Sequence, residues 1–368
     1  MKTKVQNLIV GAGLAGLTLA ERLANVRGES VLLIERRKHI GGNVYDYNEQ
    51  GILVHQYGTH IFHTNDENVW RYVNQFTSFY PYMHAVKAFV DGQFVSVPFN
   101  LNSLYALFPT KMAQDIESTL LQTFGFGGKV SILELQKVPQ LAFLSQYIYE
   151  KIFLHYTLKQ WQCEPSELDR SVFERVPISI SRDDRYFGDR FQGIPMEGYT
   201  KMCEKMIANK LISVRLECDY ETIASLVEAE RIFFSGAIDE YFDYELGELP
   251  YRSLHFDFMR FEREYFQNNS VINYPNNYDY TRIGEYKYFL DAKTPHTIVS
   301  FEYPKKWHRG DERYYPVPNE KSKALYEAYV AKAKALSNVY FIGRLGEYKY
   351  YDMDKVIAQS LAIFENLT

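Results

Sequence analysis

Cysteine is scarce in this chain. Only three occur in 368 residues, at positions 163, 203 and 218, with no Cys-x-x-Cys spacing. An odd, scattered set argues against a disulfide framework and a cysteine-based zinc site, and it points to a reducing, cytoplasmic compartment. No run of 18 or more apolar residues is present, so no membrane insertion is expected. Basic charge is also in short supply. Lys plus Arg number 41 against 46 for Asp plus Glu, a formal net charge of −5. That balance gives no whole-chain attraction for nucleic acid, so any anionic ligand must be held by local arginines. Also missing are a Ser-His-Asp set, an H-E-x-x-H motif, paired catalytic carboxylates, a metal-ligand pattern and any internal repeat. What is abundant is aromatic surface: 31 Tyr and 25 Phe bring the aromatic share to 16%. Compositional drift would give the same count, but tyrosine at this density also suits a wet cleft that touches flat ligands.

The first forty residues define a ligand class. Val5–Val10 reads as a buried strand, followed at once by Gly11-Ala12-Gly13-Leu14-Ala15-Gly16. An amphipathic helix runs to about Val26, and a second strand over Ser30–Ile34 ends at Glu35. This is G-x-G-x-x-G in the setting that gives it meaning: strand, turn, helix, strand, acid. Gly11 permits the tight turn, Gly13 lets backbone approach a pyrophosphate, and Gly16 lets helix and strand close together. The helix N-terminus faces the phosphates, and Glu35 is placed to accept from a ribose hydroxyl. A second glycine pair, Gly41-Gly42, follows Arg36 and precedes Asn43. It resembles the extended FAD fingerprint, whose paired glycines let a second loop lie on the pyrophosphate. Near the C-terminus, strand Asn338–Ile342, turn Gly343-Arg344 and a helix over Asp352–Leu367 resemble the segment that holds the flavin end of FAD.

A third block returns to the nucleotide-binding fold, with a helix through about Ala208 and strands at Ile212–Leu216 and Arg231–Phe234. The fold class expected is therefore α/β. A discontiguous Rossmann-like FAD-binding domain covers 1–80, 190–245 and 330–368. A helical bundle domain covers 99–189 on its 3.6-residue spacing, with a mobile flap at 162–177. A twisted antiparallel β-sheet domain covers 81–98 and 246–329.

Several segments together resemble the bacterial UDP-galactopyranose mutase family. They are Tyr57-Gly58-Thr59-His60-Ile61-Phe62-His63-Thr64-Asn65, Tyr156-Thr157-Leu158-Lys159-Gln160-Trp161 and Asp189-Arg190-Phe191-Gln192-Gly193-Ile194-Pro195. Further on come Tyr280-Thr281-Arg282, Tyr314-Tyr315-Pro316-Val317, and the run from Gly343-Arg344 to Asp352-Met353. The resemblance spans the chain in order. It implies an isomerase that interconverts UDP-galactopyranose and UDP-galactofuranose for surface polysaccharide, with no net redox change. It further implies reduced FAD as cofactor, a covalent adduct between flavin N5 and the sugar, NAD(P)H or another donor as reductant, and a homodimer.

Residue by residue, the resemblance places Arg175 and Arg282 on the diphosphate, where forked guanidinium groups fit phosphate oxygens. It puts Phe153, Tyr156, Thr157, Trp161, Tyr186, Asn273, Tyr315 and Tyr350 around UDP and the sugar. His60 joins the two arginines as a catalytic-site residue, in a positioning role beside the flavin, and His63 is read as structural. Arg36, Asn43, Ile61, Arg344, Asp352 and Met353 join the glycines and Glu35 as cofactor contacts; no metal is expected. Departures from the family pattern fall at Gln162-Cys163, Thr59, Glu197 and Tyr286. Three of them, all but Thr59, are expected at the flap or outer cleft, where they leave UDP-N-acetylgalactosamine open as a further substrate. A flavin oxidoreductase of the amine-oxidase type shares the FAD fingerprints, and a nucleotide-sugar-binding protein without catalysis shares the pocket.

Overall fold

A computed structural model of the chain describes residues 3–161, 177–317 and 319–367. Arg175 and nearly all of the expected flap, 162–177, lie outside the described residues. The chain divides into two units, 1–82 with 189–251 and 320–368, and 83–188 with 252–319.

The first unit is built on strand Thr3–Val10, whose last four residues are all buried. Side chains alternate between faces along a strand. Ile9 accordingly enters one core and Leu8 and Val10 enter another. A strand buried on both faces belongs in a parallel sheet, and this one is parallel throughout. Its order is 212–215, 31–34, 3–10, 227–234, 339–341. One face carries helices Leu14–Val26 and Met353–Glu365, with Leu17, Leu19, Leu23, Phe233 and Ile357 packed between helix and sheet. The other face buries Leu32, Ile34 and Phe234 against Tyr220, Tyr241 and Phe341. A hairpin, Asp46–Glu49 with Ile52–His55, and a small antiparallel sheet of 62–64, 191–195 and 79–81 complete the unit.

The second unit holds a seven-stranded sheet in the order 315–316, 251–261, 297–306, 282–285, 271–273, 86–90, 93–97. Its recorded pairings are antiparallel except that 271–273 runs parallel to 86–90. Its helices include Leu101–Leu107, Thr110–Phe124 and a run from Ala142 to Trp161 containing one π-helical stretch, Tyr149–Leu154. Leu101, Leu104 and Leu120, three of the apolar positions at helical spacing, are buried here. The expected α/β class, with a Rossmann-like parallel sheet and a separate antiparallel one, is met.

Candidate functional site

In the first unit the two glycine loops close on each other. A Cβ on Gly42 would lie 2.9 Å from the Cα of Gly13, and the Gly41 N–H donates to the Ala12 carbonyl at 2.8 Å. Gly16 has no room either, since a Cβ there would lie 2.1 Å from the Gly11 oxygen. Gly13 differs: a Cβ would meet only the Gly42 Cα, at 3.9 Å. The first bond of helix 14–26 runs from the Leu17 N–H to the Gly13 oxygen. The N–H groups of Leu14 to Gly16 therefore have no acceptor within the helix, which is the arrangement that receives a phosphate.

Glu35 ends its strand as expected and is buried, but it does more than face a ribose. One oxygen accepts from the Ala12 N–H at 2.8 Å and the other from the Arg37 N–H at 2.9 Å. The carboxylate thus braces the glycine turn and keeps one further lone pair per oxygen for a hydroxyl. Arg36 turns to Glu240, at 2.8 Å, and Asp219, at 3.4 Å. Asn43 accepts from Arg37 at 2.9 Å. These cradle residues fit a dinucleotide: close backbone approach, unpaired helix N–H groups and a partly used carboxylate.

The segment carrying His60 is fixed from several sides. The His60 main-chain N–H donates to Nδ1 of buried His55 at 3.0 Å, and its carbonyl accepts from the Tyr199 hydroxyl at 3.2 Å. Its own Nδ1 lies 2.7 Å from the Gly58 carbonyl, which requires the proton there and leaves Nε2 as acceptor. Burial, helped by the nearby Arg344 guanidinium, lowers the His60 pKa to about 4. Ile61 is buried beside it. His63 is anchored at 2.8 Å to Asp189, which also accepts from Asn65 at 2.6 Å. Thr64 donates to Asp354 at 2.9 Å in the first turn of helix 353–365. Asp352 is the N-cap of that helix, Met353 is buried at its start, and Arg344 donates to the Tyr351 carbonyl at 2.5 Å.

The second unit brings a different set together. Arg282 donates to the Tyr156 hydroxyl at 2.6 Å. Its Nε lies 3.2 Å from buried Glu302, without the alignment of a hydrogen bond. Burial opposes the Arg282 charge, but Glu302, Tyr156, Tyr315 and Tyr186 outweigh it and raise the pKa. Burial likewise pushes the Tyr156 phenol up to about 12. Asn273, directly opposite Arg282 in the sheet register, has a buried Oδ1 with no hydrogen-bond partner among the described residues, and so does Gln160 Oε1. Buried polar atoms left without partners are costly. Asn273 thus brings an unsatisfied polar atom to the register position opposite Arg282. Phe153 and buried Thr157 lie on the same helical run, and Trp161 ends it. The Tyr186 ring stands edge-on to His84, centroids 5.8 Å apart. Tyr350 belongs to the first unit, where it is exposed.

One expectation needs correcting. Tyr286 is not at an outer cleft: it is 1% exposed, and its hydroxyl donates to Ser300 at 2.8 Å. A phenol fits the core there because Ser300 satisfies it. Glu197 is exposed and pairs with Lys205. Four residues that shape these sites were not singled out from the sequence: Asp46, His55, Lys159 and Glu302. A lone acid or base in a strand (Asp46, His55, Glu302) or on a helix (Lys159) carries no sequence signal until its partner is known.

A glycine cradle on a parallel sheet, with a guanidinium-centred polar cluster in a second unit, defines a Rossmann-like protein. Residues 9–76 match an NAD(P)-binding Rossmann-like domain and residues 151–350 match the UDP-galactopyranose mutase family. The chain is 39% identical to a probable UDP-galactopyranose mutase of Klebsiella pneumoniae, over 96% of this chain and 92% of that one. It is 37% identical to a dTDP-fucopyranose mutase of Escherichia coli, over 96% of each. It is 36% identical to the UDP-galactopyranose mutase of Mycoplasma pneumoniae, over 99% and 96%. In fold it resembles a crystal structure of a reduced UDP-galactopyranose mutase, with TM-score 0.74 at 15% identity over 98% of this chain and 93% of that one. The chain belongs to the UDP-galactopyranose mutase family, a family of isomerases.

Proposed function

We propose that the chain is a FAD-dependent mutase that interconverts UDP-galactopyranose and UDP-galactofuranose, feeding the furanose to cell-surface polysaccharide. The observation that carries this is Arg282. Its guanidinium is bonded to Tyr156, has Tyr186 and Tyr315 nearby, and lies at the register position opposite Asn273, whose Oδ1 has no hydrogen-bond partner among the described residues.

Ring contraction breaks the anomeric bond to UDP, opens the sugar, recloses it through O4 and restores the bond, so no electrons are gained or lost. FAD, when bound and reduced, supplies a nucleophilic N5 able to hold the anomeric carbon while the nucleotide is detached. The chain's own residues do the rest. Arg282 stabilises charge on the departing diphosphate, and Arg175 is assigned the same task. Tyr315 and Tyr350 are assigned to the phosphate oxygens, Tyr186 to covering the uridine, and Phe153, Tyr156, Thr157 and Trp161 to the uridine and ribose pocket. With a pKa of about 4, His60 is a weak base. Its fixed backbone supports a positioning role.

The test is anaerobic incubation of dithionite-reduced protein with UDP-galactose, UDP-N-acetylgalactosamine and dTDP-fucose side by side. Furanose product from UDP-galactose without stoichiometric flavin oxidation is expected. Turnover that needs oxygen or another acceptor overturns the mutase in favour of an amine-oxidase-type enzyme. A furanose formed from dTDP-fucose alone moves the assignment to the activity named for the Escherichia coli relative.

A further inference from the structure

Lys159 has no part in the chemistry above, yet its surroundings are unusual. Its ammonium sits within the tip of the hairpin formed by strands 271–273 and 282–285. There it donates to the carbonyl oxygens of Tyr278 at 3.0 Å, Tyr280 at 3.1 Å and Tyr274. An ammonium has three protons and no acceptor, and all three here are spent on main-chain oxygens of one turn. Those carbonyls converge with their negative ends together, an arrangement that needs a cation at its centre. The same hairpin is closed at its base by the Tyr274 N–H to Thr281 carbonyl bond at 2.8 Å, and its next residue is Arg282.

Lys159 lies three residues after Tyr156 on helix His155–Trp161, which places the two side chains on one face. Helix and hairpin are therefore joined twice, by Tyr156 to the Arg282 guanidinium and by Lys159 to the turn before it. Asn276 in the same turn adds a bond to the Lys151 carbonyl at 2.8 Å.

We propose that Lys159 is a positioning residue for nucleotide binding, its ammonium gathering the carbonyls of Tyr274, Tyr278 and Tyr280 so that Arg282 is presented to the diphosphate. This rests on the assignment of Arg282 to the diphosphate. The titratable group acting on it is Asp279 on the hairpin, whose Tyr274, Tyr278 and Tyr280 supply the carbonyls. From the neighbouring strands, Tyr303 packs on Tyr280 with ring centroids 6.0 Å apart, Glu302 lies by Arg282, and Arg252 donates to the adjoining Gln160 carbonyl. Burial lowers the Lys159 pKa to about 8, with Asp279 opposing. Tyr156 and Tyr280, both raised to about 12, stay neutral through that range. A bound diphosphate favours the charged amine, so affinity is greatest with the ammonium present and falls as pH rises through about 8. The neutral amine also has only two protons for three carbonyls.

The experiment is calorimetric titration of the full-length protein with UDP from pH 7 to 9.5, for wild type, Lys159→Met and Lys159→Arg. At pH 7, Lys159→Met is expected to bind about tenfold more weakly and Lys159→Arg within threefold of wild type. Wild-type affinity is expected to fall severalfold by pH 9.5 while Lys159→Arg, charged throughout, holds. Equal affinity of Lys159→Met and wild type at pH 7 overturns the proposal, and so does a parallel fall of Lys159→Arg with wild type. If Lys159→Met does not fold, the comparison of wild type with Lys159→Arg decides alone. Wild type that binds no UDP at any pH overturns the nucleotide assignment itself, and this proposal with it.

Discussion

The Arg282 guanidinium donates a 2.6 Å hydrogen bond to the phenol of Tyr156. A strand residue and a helix residue 126 positions apart in the chain thus form one polar unit. The bond fixes one edge of the guanidinium, and Glu302 lies beside the Nε edge at 3.2 Å.

That geometry predicts the behaviour of Arg282 variants. Arg282→Ala removes a charge from developing phosphate negative charge and is expected to lower kcat by about a hundredfold or more, roughly 3 kcal/mol. Arg282→Lys keeps the charge but not the planar fork and should recover only part of the rate. Tyr156→Phe keeps ring and helix while releasing the guanidinium, so a smaller fall is expected, on the order of tenfold. Steady-state kinetics with reduced protein and UDP-galactopyranose read all three. Wild-type rates in Arg282→Ala would remove the arginine from the site.

The glycines separate ligand space from packing space. At Gly13 a Cβ makes only an ordinary contact with the Gly42 Cα, at 3.9 Å, so Gly13→Leu is expected to fold and purify colourless, having blocked the pyrophosphate. At Gly16 a Cβ would meet the Gly11 carbonyl at 2.1 Å, so Gly16→Val is expected to lower stability itself, by about 3 kcal/mol or more. Thermal melts and the flavin absorbance of each variant make the comparison. A yellow Gly13→Leu protein contradicts the cofactor assignment.

Burial of His60 has a consequence for pH. Its folded pKa of about 4 lies below the ordinary 6.5, so between those values the unfolded chain binds a proton that the folded chain refuses. Stability therefore falls as the solution is acidified from about pH 6.5 to 4, by up to about 1.4 kcal/mol per pH unit for this group. His55, lowered in the same direction by burial and by His60, adds to the slope. His60→Gln is expected to flatten it. Urea unfolding at pH 4.5, 5.5 and 7 measures the slope, and identical slopes in the two proteins would refute the claim.

The legible and illegible parts of this molecule divide along a physical line. The strand-turn-helix at residues 5–26 and the acid at Glu35 are local patterns, visible because backbone geometry limits which residues can stand there. The structure places them where the spacing does, and the parallel sheet around Thr3–Val10 follows from a strand apolar on both faces. Tyr286 was misplaced because a tyrosine reads the same at a cleft and in a core. Its burial and the bond to the Ser300 hydroxyl, neither visible in the sequence, distinguish the two. Lys159 stayed hidden for a related reason: its partners are backbone carbonyls, and those have no letter in the sequence.

Asp46 was hidden in the same way, and it carries the last prediction. Its carboxylate accepts from the N–H groups of Tyr199, at 2.6 Å, and Thr200, at 2.9 Å, the first two residues of helix Tyr199–Met206. The Thr200 hydroxyl answers by accepting from the Asp46 N–H at 2.9 Å. A residue more than a hundred and fifty positions earlier thus supplies the cap that the preceding Gly198 cannot, and Asp46 is buried, so water does not replace it. Asp46→Ala is expected to cost about 2 kcal/mol, read as a lower urea midpoint with an unchanged slope. Because the Tyr199 hydroxyl holds the His60 carbonyl, the same variant should also retain less flavin after purification. Asp46→Asn keeps one acceptor oxygen for two N–H groups and should fall between the two proteins. A midpoint for Asp46→Ala equal to wild type would show that helix 199–206 does not depend on this carboxylate.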